Sequence, residues 1–399
     1  MSKSVLLCVT SSIAAYKSAL TARLLVNKGY NVNVIMSRNA TEFITPLTFE
    51  RLTNNRCIVD TFEKNYSYDV KHISLAKQSD IAIIAPATAN IIGKIANGIA
   101  DDMLSTTIMA CKCPVYIAPA MNTNMYENPI VQSNIERLKS FGYNFIEPQR
   151  GMLACGDVGK GKMAEPEIIA EYVYREIECE KDLKGKRILV TAGATMESID
   201  PVRYITNHST GKMGCAIARQ AMLRGADVTL IAGNMTAEPP MFVNVINVKS
   251  AGDMFEAVKD NFDKCDIVIK AAAVADYTPA VTYDNKVKKK DGDMSIELKR
   301  TKDILKYLGE NKKNQFLCGF SMETENMIEN SVKKLKKKNL DMIAANNLKV
   351  KGAGFGTDTN VVTLITAEDV YELPIMSKNQ VADEILTKIS DMINYRNGE

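Results

Sequence analysis

The sequence predicts an α/β protein of two domains, each organised around a parallel sheet. Its 399 residues are many for one hydrophobic core, which favours two domains. Near the N-terminus a β-branched run (residues 5–10), a helical pattern (13–28) closed by Gly29 and a second strand pattern (31–36) form a strand–helix–strand unit. Its crossover implies parallel pairing. The same alternation restarts at 187–191. Between the two lies 178–186, charged and without apolar periodicity, which reads as the linker and divides the chain into 1–180 and 181–399.

Composition bounds the function. The apolar fraction, 46%, and the charged fraction, 24%, are those of an ordinary soluble globular protein. A net charge of +3 is too small for a general nucleic-acid binder, and no apolar run is long enough to span a bilayer. The first residues run directly into a strand, so no cleavable signal is expected. The nine cysteines are odd in number and scattered, several of them in apolar strand-like runs. They read as reduced thiols, which points to a cytoplasmic location. Cys111 and Cys113 are close, but their spacing is no zinc pattern; with two histidines, His72 and His208, a multi-histidine metal site is excluded.

In the first half, Ser11 and Ser12 follow the first strand, where backbone N–H groups opening a helix would face an anionic ligand. There is no GxGxxG, which weakens a nicotinamide reading. A strand over 80–85 ends in Pro86-Ala87-Thr88-Ala89-Asn90. After a helix comes Ala100-Asp101-Asp102-Met103-Leu104-Ser105-Thr106-Thr107, and a strand over 115–118 ends in Pro119-Ala120-Met121-Asn122-Thr123-Asn124-Met125. Open α/β sheets bind ligands beyond the carboxyl ends of their strands, so these Ser-, Thr- and Asn-rich ends outline a pocket for a phosphate and a polar ring. Taken singly, each is ordinary turn and capping chemistry. Residues 151–163 carry four glycines and read as a mobile loop whose distinctive group is the Cys155 thiol.

In the second half, the strand at 187–191 ends in the turn Ala192-Gly193-Ala194-Thr195. An insertion over 196–209 precedes Thr210-Gly211-Lys212-Met213-Gly214, which opens a helix to Arg224, and the next strand covers 227–232. Thr-Gly-Lys matches part of a P-loop, but GxxxxGK[ST] fails at Met213, so a conventional ATPase is not expected. A buried strand over 266–273 runs into Val274-Ala275-Asp276-Tyr277. Alone, the basic runs 286–290 and 333–338 are solvated faces; facing one strand-end pocket, they would neutralise a triphosphate. Residues 352–358 form a late glycine loop, 361–365 a last strand and 377–395 a closing amphipathic helix.

Pro119-Ala120-Met121-Asn122-Thr123-Asn124-Met125, with Ala154-Cys155-Gly156 and Gly159-Lys160-Gly161-Lys162-Met163, resembles the flavin-dependent cysteine decarboxylases. Asn207-His208-Ser209-Thr210-Gly211-Lys212-Met213-Gly214, with Ala273-Val274-Ala275-Asp276-Tyr277 and the 286–289 cluster, resembles the phosphopantothenate–cysteine ligases. Both in one chain, in this order and over nearly its whole length, resemble the bifunctional coenzyme A biosynthesis enzymes of bacteria and archaea. The departures are Ser11, where relatives often have glycine, and Tyr126, where tryptophan is usual. The resemblance implies two Rossmann-like three-layer domains with parallel sheets, a flavodoxin-like flavoprotein half followed by a nucleotide-binding ligase half.

For the first half the resemblance implies FMN, held by Ser11, Ser12, Ser37, Thr88, Ser105, Thr106 and Thr107. The flavin would oxidise the cysteinyl thiol of phosphopantothenoylcysteine, easing loss of CO2, and later return the hydride to the ene-thiolate. Cys155 matches the proton donor, His72 the base at the oxidation step and Asn122 the residue binding the substrate carboxylate, with Met125 also at the substrate. The glycine-rich stretch then becomes a flap that closes over substrate. For the second half the resemblance implies CTP activation of 4′-phosphopantothenate to an acyl-cytidylate, which the amine of cysteine attacks. Asn207 matches the residue needed for that intermediate to react onward, and Lys286 the lysine of the activation step. Ala272, Asp276, Lys302, Asp303, Ile304, Leu305, Phe320, Lys334 and Lys338, together with Lys286, fall at nucleotide-contact positions. Mg2+ would accompany the nucleotide; its ligands are not readable from the sequence.

The resemblance further implies small-molecule substrates, neither nucleic acid nor membrane as partner, and homo-oligomers, trimer-based for the flavin half and dimeric for the ligase half. Two other readings stand beside it. A non-catalytic regulatory protein on the first fold is opposed by His72, Asn122 and Cys155; a flavin oxidoreductase whose second half merely binds nucleotide is opposed by Asn207 and Lys286.

Overall fold

The first strand, β1 (Ser4–Val9), is buried on both faces from Val5 onward. Val5, Leu7 and Val9 point into one apolar cluster, Leu6 and Cys8 into another. A strand with no polar face needs helices on both sides, the parallel arrangement. In the computed structural model, described for residues 2–62, 70–153, 156–288, 295–323, 326–347 and 356–398, that arrangement builds the first of two compact units, Met1–Cys179 and Glu180–Glu399.

After β1 come α1 (Ala15–Asn27), β2 (Asn31–Met36), α2 (Pro46–Thr53), α3 (Lys71–Gln78), β3 (Ile81–Ala87), α4 (Ala89–Ala96), α5 (Met103–Ala110), β4 (Val115–Pro119), α6 (Thr123–Tyr126), α7 (Pro129–Ser140) and β5 (Asn144–Phe145). The five strands are parallel in the order β2-β1-β3-β4-β5. Winding reverses between β1 and β3, where sheets of this flavodoxin-like order open a crevice for ligand. Two layers of helix cover the sheet. Ala22 and Leu25 of α1 fill one core, while Ile92 of α4, Leu104 of α5 and Leu138 of α7 fill the other.

The glycine-rich stretch departs from the expected mobile loop. Its arms are strands, β6 (Gln149–Met152) and β7 (Val158–Lys162), paired antiparallel. Gly161 has φ +139°, and a Cβ there would overlap the Met121 carbonyl oxygen; the Met121 N–H donates to the Gly161 carbonyl at 3.0 Å. The glycine is therefore there for close backbone approach rather than for mobility. Cys155 lies outside the described residues. α8 (Pro166–Ile177) ends the unit, its Ile169 and Val173 packing in the same core as α1.

The expected linker is also shorter. Leu183 is buried, Lys181 donates to the Leu223 carbonyl at 2.5 Å and Arg224 pairs with Asp182 at 2.5 Å, so the stretch from Lys181 onward packs within the second unit. An exposed tether would leave no buried leucine.

The second unit runs β8 (Arg187–Ala192), β9 (Met196–Ser198), β10 (Tyr204–Thr206), α9 (Lys212–Leu223), β11 (Asp227–Ala232), β12 (Asn244–Asn247), α10 (Ala251–Phe262), β13 (Ile267–Lys270), β14 (Tyr277–Pro279), β15 (Leu298–Arg300), α11 (Ile304–Asn311), β16 (Phe316–Glu323), α12 (Met327–Lys337), β17 (Met342–Asn347), β18 (Thr359–Asn360), β19 (Val362–Ile365), β20 (Val370–Glu372), β21 (Met376–Ser377) and α13 (Lys378–Asn397). The main sheet has the order β12-β11-β8-β13-β16-β17-β19-β20. It is parallel from β12 to β17; β19 and β20 then add on antiparallel. A wholly parallel sheet is ruled out by the four-residue turn from Thr366 to Asp369, closed by the Thr366 N–H to the Asp369 carbonyl at 2.9 Å, because so short a link joins only antiparallel neighbours. Nor is the 361–365 strand the last, since β20 and β21 follow it.

Two local differences shape the site. The insertion at 196–209 folds into the β9–β10 hairpin. The strand expected over 266–273 stops at Lys270, so Ala271 to Asp276 leave the sheet and border the cavity described below.

Candidate active sites

In the first unit the strand ends converge by topology. Ser11 and Ser12 follow β1, Ser37 follows β2, Thr88 follows β3 and Asn122 follows β4, four neighbouring strands. Thr10 and Thr88 lock two of these ends together: the Thr10 hydroxyl donates to the Pro86 carbonyl at 2.7 Å and accepts from the Thr88 N–H at 3.2 Å. Thr88 caps α4 through the Ile91 N–H. Ser37 is different. Its Oγ is buried and has no hydrogen-bond partner among the described residues. A buried, unsatisfied hydroxyl at the carboxyl edge is what a polar ligand would complete, so the edge fits a bound flavin phosphate or ring.

Ser105, Thr106 and Thr107 sit in the first turns of α5 with their hydroxyl protons already committed. Ser105 donates to the Asp102 carboxylate at 2.8 Å, Thr106 to the Ala100 carbonyl at 3.3 Å and Thr107 to the Met103 carbonyl at 2.7 Å. Ser105 and Thr107 are fully buried. Their protons are thus already spent within the protein.

Asn122 caps α6, its Oδ1 accepting the Asn124 N–H at 2.8 Å, while its Nδ2 donates to the Asp157 carboxylate of the hairpin at 2.8 Å. Met125, on α6, is half exposed. His72 is half-buried in the first turn of α3, a helix that packs against α5. The hairpin thus brings Asp157 to Asn122.

The second unit contains a cavity of about 450 Å³ at the carboxyl edge of β13 and β16. Asn207, Ala272, Asp276, Lys302, Asp303, Ile304, Leu305, Phe320, Lys334 and Lys338 line it together, residues spread over more than 130 positions of sequence. Lys286 does not line it. That lysine is exposed in a loop held by its neighbour, whose Val287 N–H donates to Asp200 at 3.1 Å while its carbonyl accepts from Arg203 at 3.0 Å.

The partners within the cavity are specific. Lys338 pairs with Asp303 at 2.8 Å, Lys334 donates to the Phe320 carbonyl at 3.1 Å, and Asn207 Nδ2 donates to the Ala273 carbonyl at 3.1 Å. The N-terminus of α9 opens onto the same space through Gly211, with φ +80° and Met235 where a Cβ would go. Sequence reasoning passed over two further lining lysines, Lys270 and Lys378. Lys270 left a readable signal, a charged residue closing the apolar run Ile267-Val268-Ile269. Burial first, and then the nearby Lys334 and Lys338, pull its ammonium down to about 8. Among the described residues no His, Cys, Asp and Glu cluster suits a metal, and no helix is long and apolar enough to cross a membrane.

Comparison with known proteins bears on both units. A flavoprotein family model matches residues 1–178, and the model for the C-terminal domain of DNA/pantothenate metabolism flavoproteins matches residues 183–393. The coenzyme A biosynthesis bifunctional protein CoaBC of Bacillus subtilis (strain 168) is 51% identical over 392 residues, covering 97% of this chain and 97% of the relative. The chain belongs to the CoaBC family. A second CoaBC protein, from Borreliella burgdorferi, is 44% identical over 387 residues, covering 96% of this chain and 98% of its own. A cysteine/cysteine sulfinic acid decarboxylase from an unknown prokaryotic organism is 47% identical over 358 residues, 88% of this chain and all of its own. A solved C-terminal domain of a CoaBC protein is 46% identical, covers 54% of this chain and 99% of its own, with a TM-score of 0.47. Like the CoaBC relatives, this chain is a flavoprotein unit followed by a pantothenate-metabolism unit.

Proposed function

We propose that the second unit joins cysteine to 4′-phosphopantothenate using CTP with Mg2+, and that the first decarboxylates the product to 4′-phosphopantetheine with FMN. The observation that carries this reading is the likeness to CoaBC proteins over 97% of the chain, through both units. The flavin, when bound, supplies the two-electron oxidation and re-reduction that make loss of CO2 easy. What the chain supplies is binding and proton handling. Asn122 presents an amide N–H to the substrate carboxylate, a donor that adds no competing charge. His72 is the acceptor of the thiol proton, and Cys155 the acid that returns a proton to carbon. In the second unit, Lys334 and Lys338 offset phosphate charge, and Asn207 holds the carbonyl of the acyl-cytidylate for attack by the amine. Lys286 acts at the activation step.

Homo-oligomers are part of the proposal. Tyr16 and Leu20 are exposed on α1, Ile13 just before it, and Tyr204, Tyr277 and Leu298 on β10, β14 and β15.

Purified protein given 4′-phosphopantothenate, cysteine, CTP and Mg2+ should yield CO2 and 4′-phosphopantetheine, followed by mass spectrometry. Protein without flavin absorbance, or product that stops at a cysteine adduct, would remove the first-unit assignment. Failure to consume CTP would remove the second.

A further inference from the structure

The cavity of the second unit contains an ammonium without a partner among the described residues. Lys270 closes β13 and borders the cavity. It lies two residues beyond Val268, on the face whose core is filled from α10, α11 and α12. Its strand neighbours in register are Thr191 and Gly319, and it lies at the carboxyl end of β13 where the strand opens onto the cavity. The neighbouring cations are satisfied: Lys338 by Asp303 and Lys334 by the Phe320 carbonyl. Lys270 makes no hydrogen bond and no ion pair among the described residues. The charged groups that act on it are Lys334 and Lys338, which oppose its charge, and Asp276 and Asp303, which favour it.

A half-buried ammonium with no hydrogen-bond partner among the described residues, beside two like charges, is costly to an empty protein. A sequence free to do so would replace it with methionine or leucine. What makes such a residue tolerable is a ligand that brings the missing negative charge. Six lysines against two aspartates line this cavity, so the ligand it awaits is a polyanion.

We propose that Lys270 is a nucleotide-binding residue of the ligase cavity, pairing its ammonium with phosphoryl oxygens of the bound CTP. The proposal rests on the ligase reading given above. Because the empty site lowers the ammonium's pKa and bound phosphate would raise it, CTP binding draws a proton from solvent at alkaline pH.

The test is calorimetric titration of CTP with Mg2+ into the full chain and its Lys270→Met variant. For the wild type, affinity should fall about tenfold between pH 7 and pH 9, and binding at pH 8 should take up roughly half a proton per site, read from two buffers of different ionisation heat. Lys270→Met should bind CTP about tenfold more weakly at pH 7, with no such proton uptake, and should unfold at no lower temperature than the wild type. The wild-type pH series serves even if the variant does not fold. Equal affinity in wild type and variant, or wild-type affinity flat from pH 7 to pH 9, overturns the assignment of Lys270 alone. No binding of CTP by the wild type overturns the ligase reading as well.

Discussion

The Ser37 hydroxyl is buried at the carboxyl end of β2 with nothing to bond to among the described residues, a cost of about 1–3 kcal/mol to the flavin-free protein. Replacing it with alanine should therefore leave flavin-free protein no less stable by thermal unfolding, yet weaken flavin retention on dialysis. A lower melting temperature for the flavin-free variant would refute the ligand role. Asp200 is the opposite kind of residue. Its carboxylate accepts from Arg203 and from the N–H groups of Val202, Arg203 and Val287. The Arg203 pairing and those N–H bonds outweigh burial and hold the carboxyl well below its usual range. A carboxyl with a depressed folded value contributes stability that is complete above about pH 4 and fades as pH falls further. Urea unfolding of Asp200→Asn should show lower stability at pH 7 and a smaller loss between pH 4 and pH 2; parallel curves for the two proteins would contradict this. Because Val287 hangs on the same carboxylate, the variant should also slow CTP consumption through Lys286. In sequence Ser37 stood only as an FMN contact implied by resemblance; its missing partner, and the pairing of Asp200, are visible only once their neighbours are placed.

At the scale of elements, the β6–β7 hairpin couples the two ends of the decarboxylase site. Gly161 admits no side chain against Met121, so Gly161→Ala should displace β7 from the end of β4 and disturb Asn122 as well as Asp157. The expected outcome is accumulation of the cysteine adduct with CTP consumption unchanged, measured by mass spectrometry; normal 4′-phosphopantetheine output would show the hairpin to be dispensable. In the second unit Asp341, almost wholly buried at the start of β17, accepts from Lys312 and Arg396 at 2.6 Å each and from the Leu317 N–H at 2.7 Å, tying α11 and α13 to the sheet. Asp341→Ala leaves two cations without their counter-charge and should cost about 3 kcal/mol in denaturant unfolding. In sequence the glycines of 151–163 read as a mobile loop. Only the approach of Met121 reveals the backbone constraint at Gly161.

Across the whole molecule, each unit has its own sheet and its own apolar packing. We expect residues 1–179 and 180–399, expressed apart, to fold independently, the first retaining flavin and the second consuming CTP with cysteine and 4′-phosphopantothenate. Aggregation of either piece, or loss of its cooperative unfolding, would argue against autonomous units.

The α/β class and the parallel pairing implied by the crossovers were readable in one dimension. Periodicity, turn residues and local motifs are properties of neighbours in sequence. The antiparallel edge of the second sheet, the hairpin made from a supposed loop, the exclusion of Lys286 from the cavity and the unpaired state of Lys270 were not. Each depends on what a residue meets across distances of many positions, and burial, pairing and charge compensation exist only between groups that folding brings together.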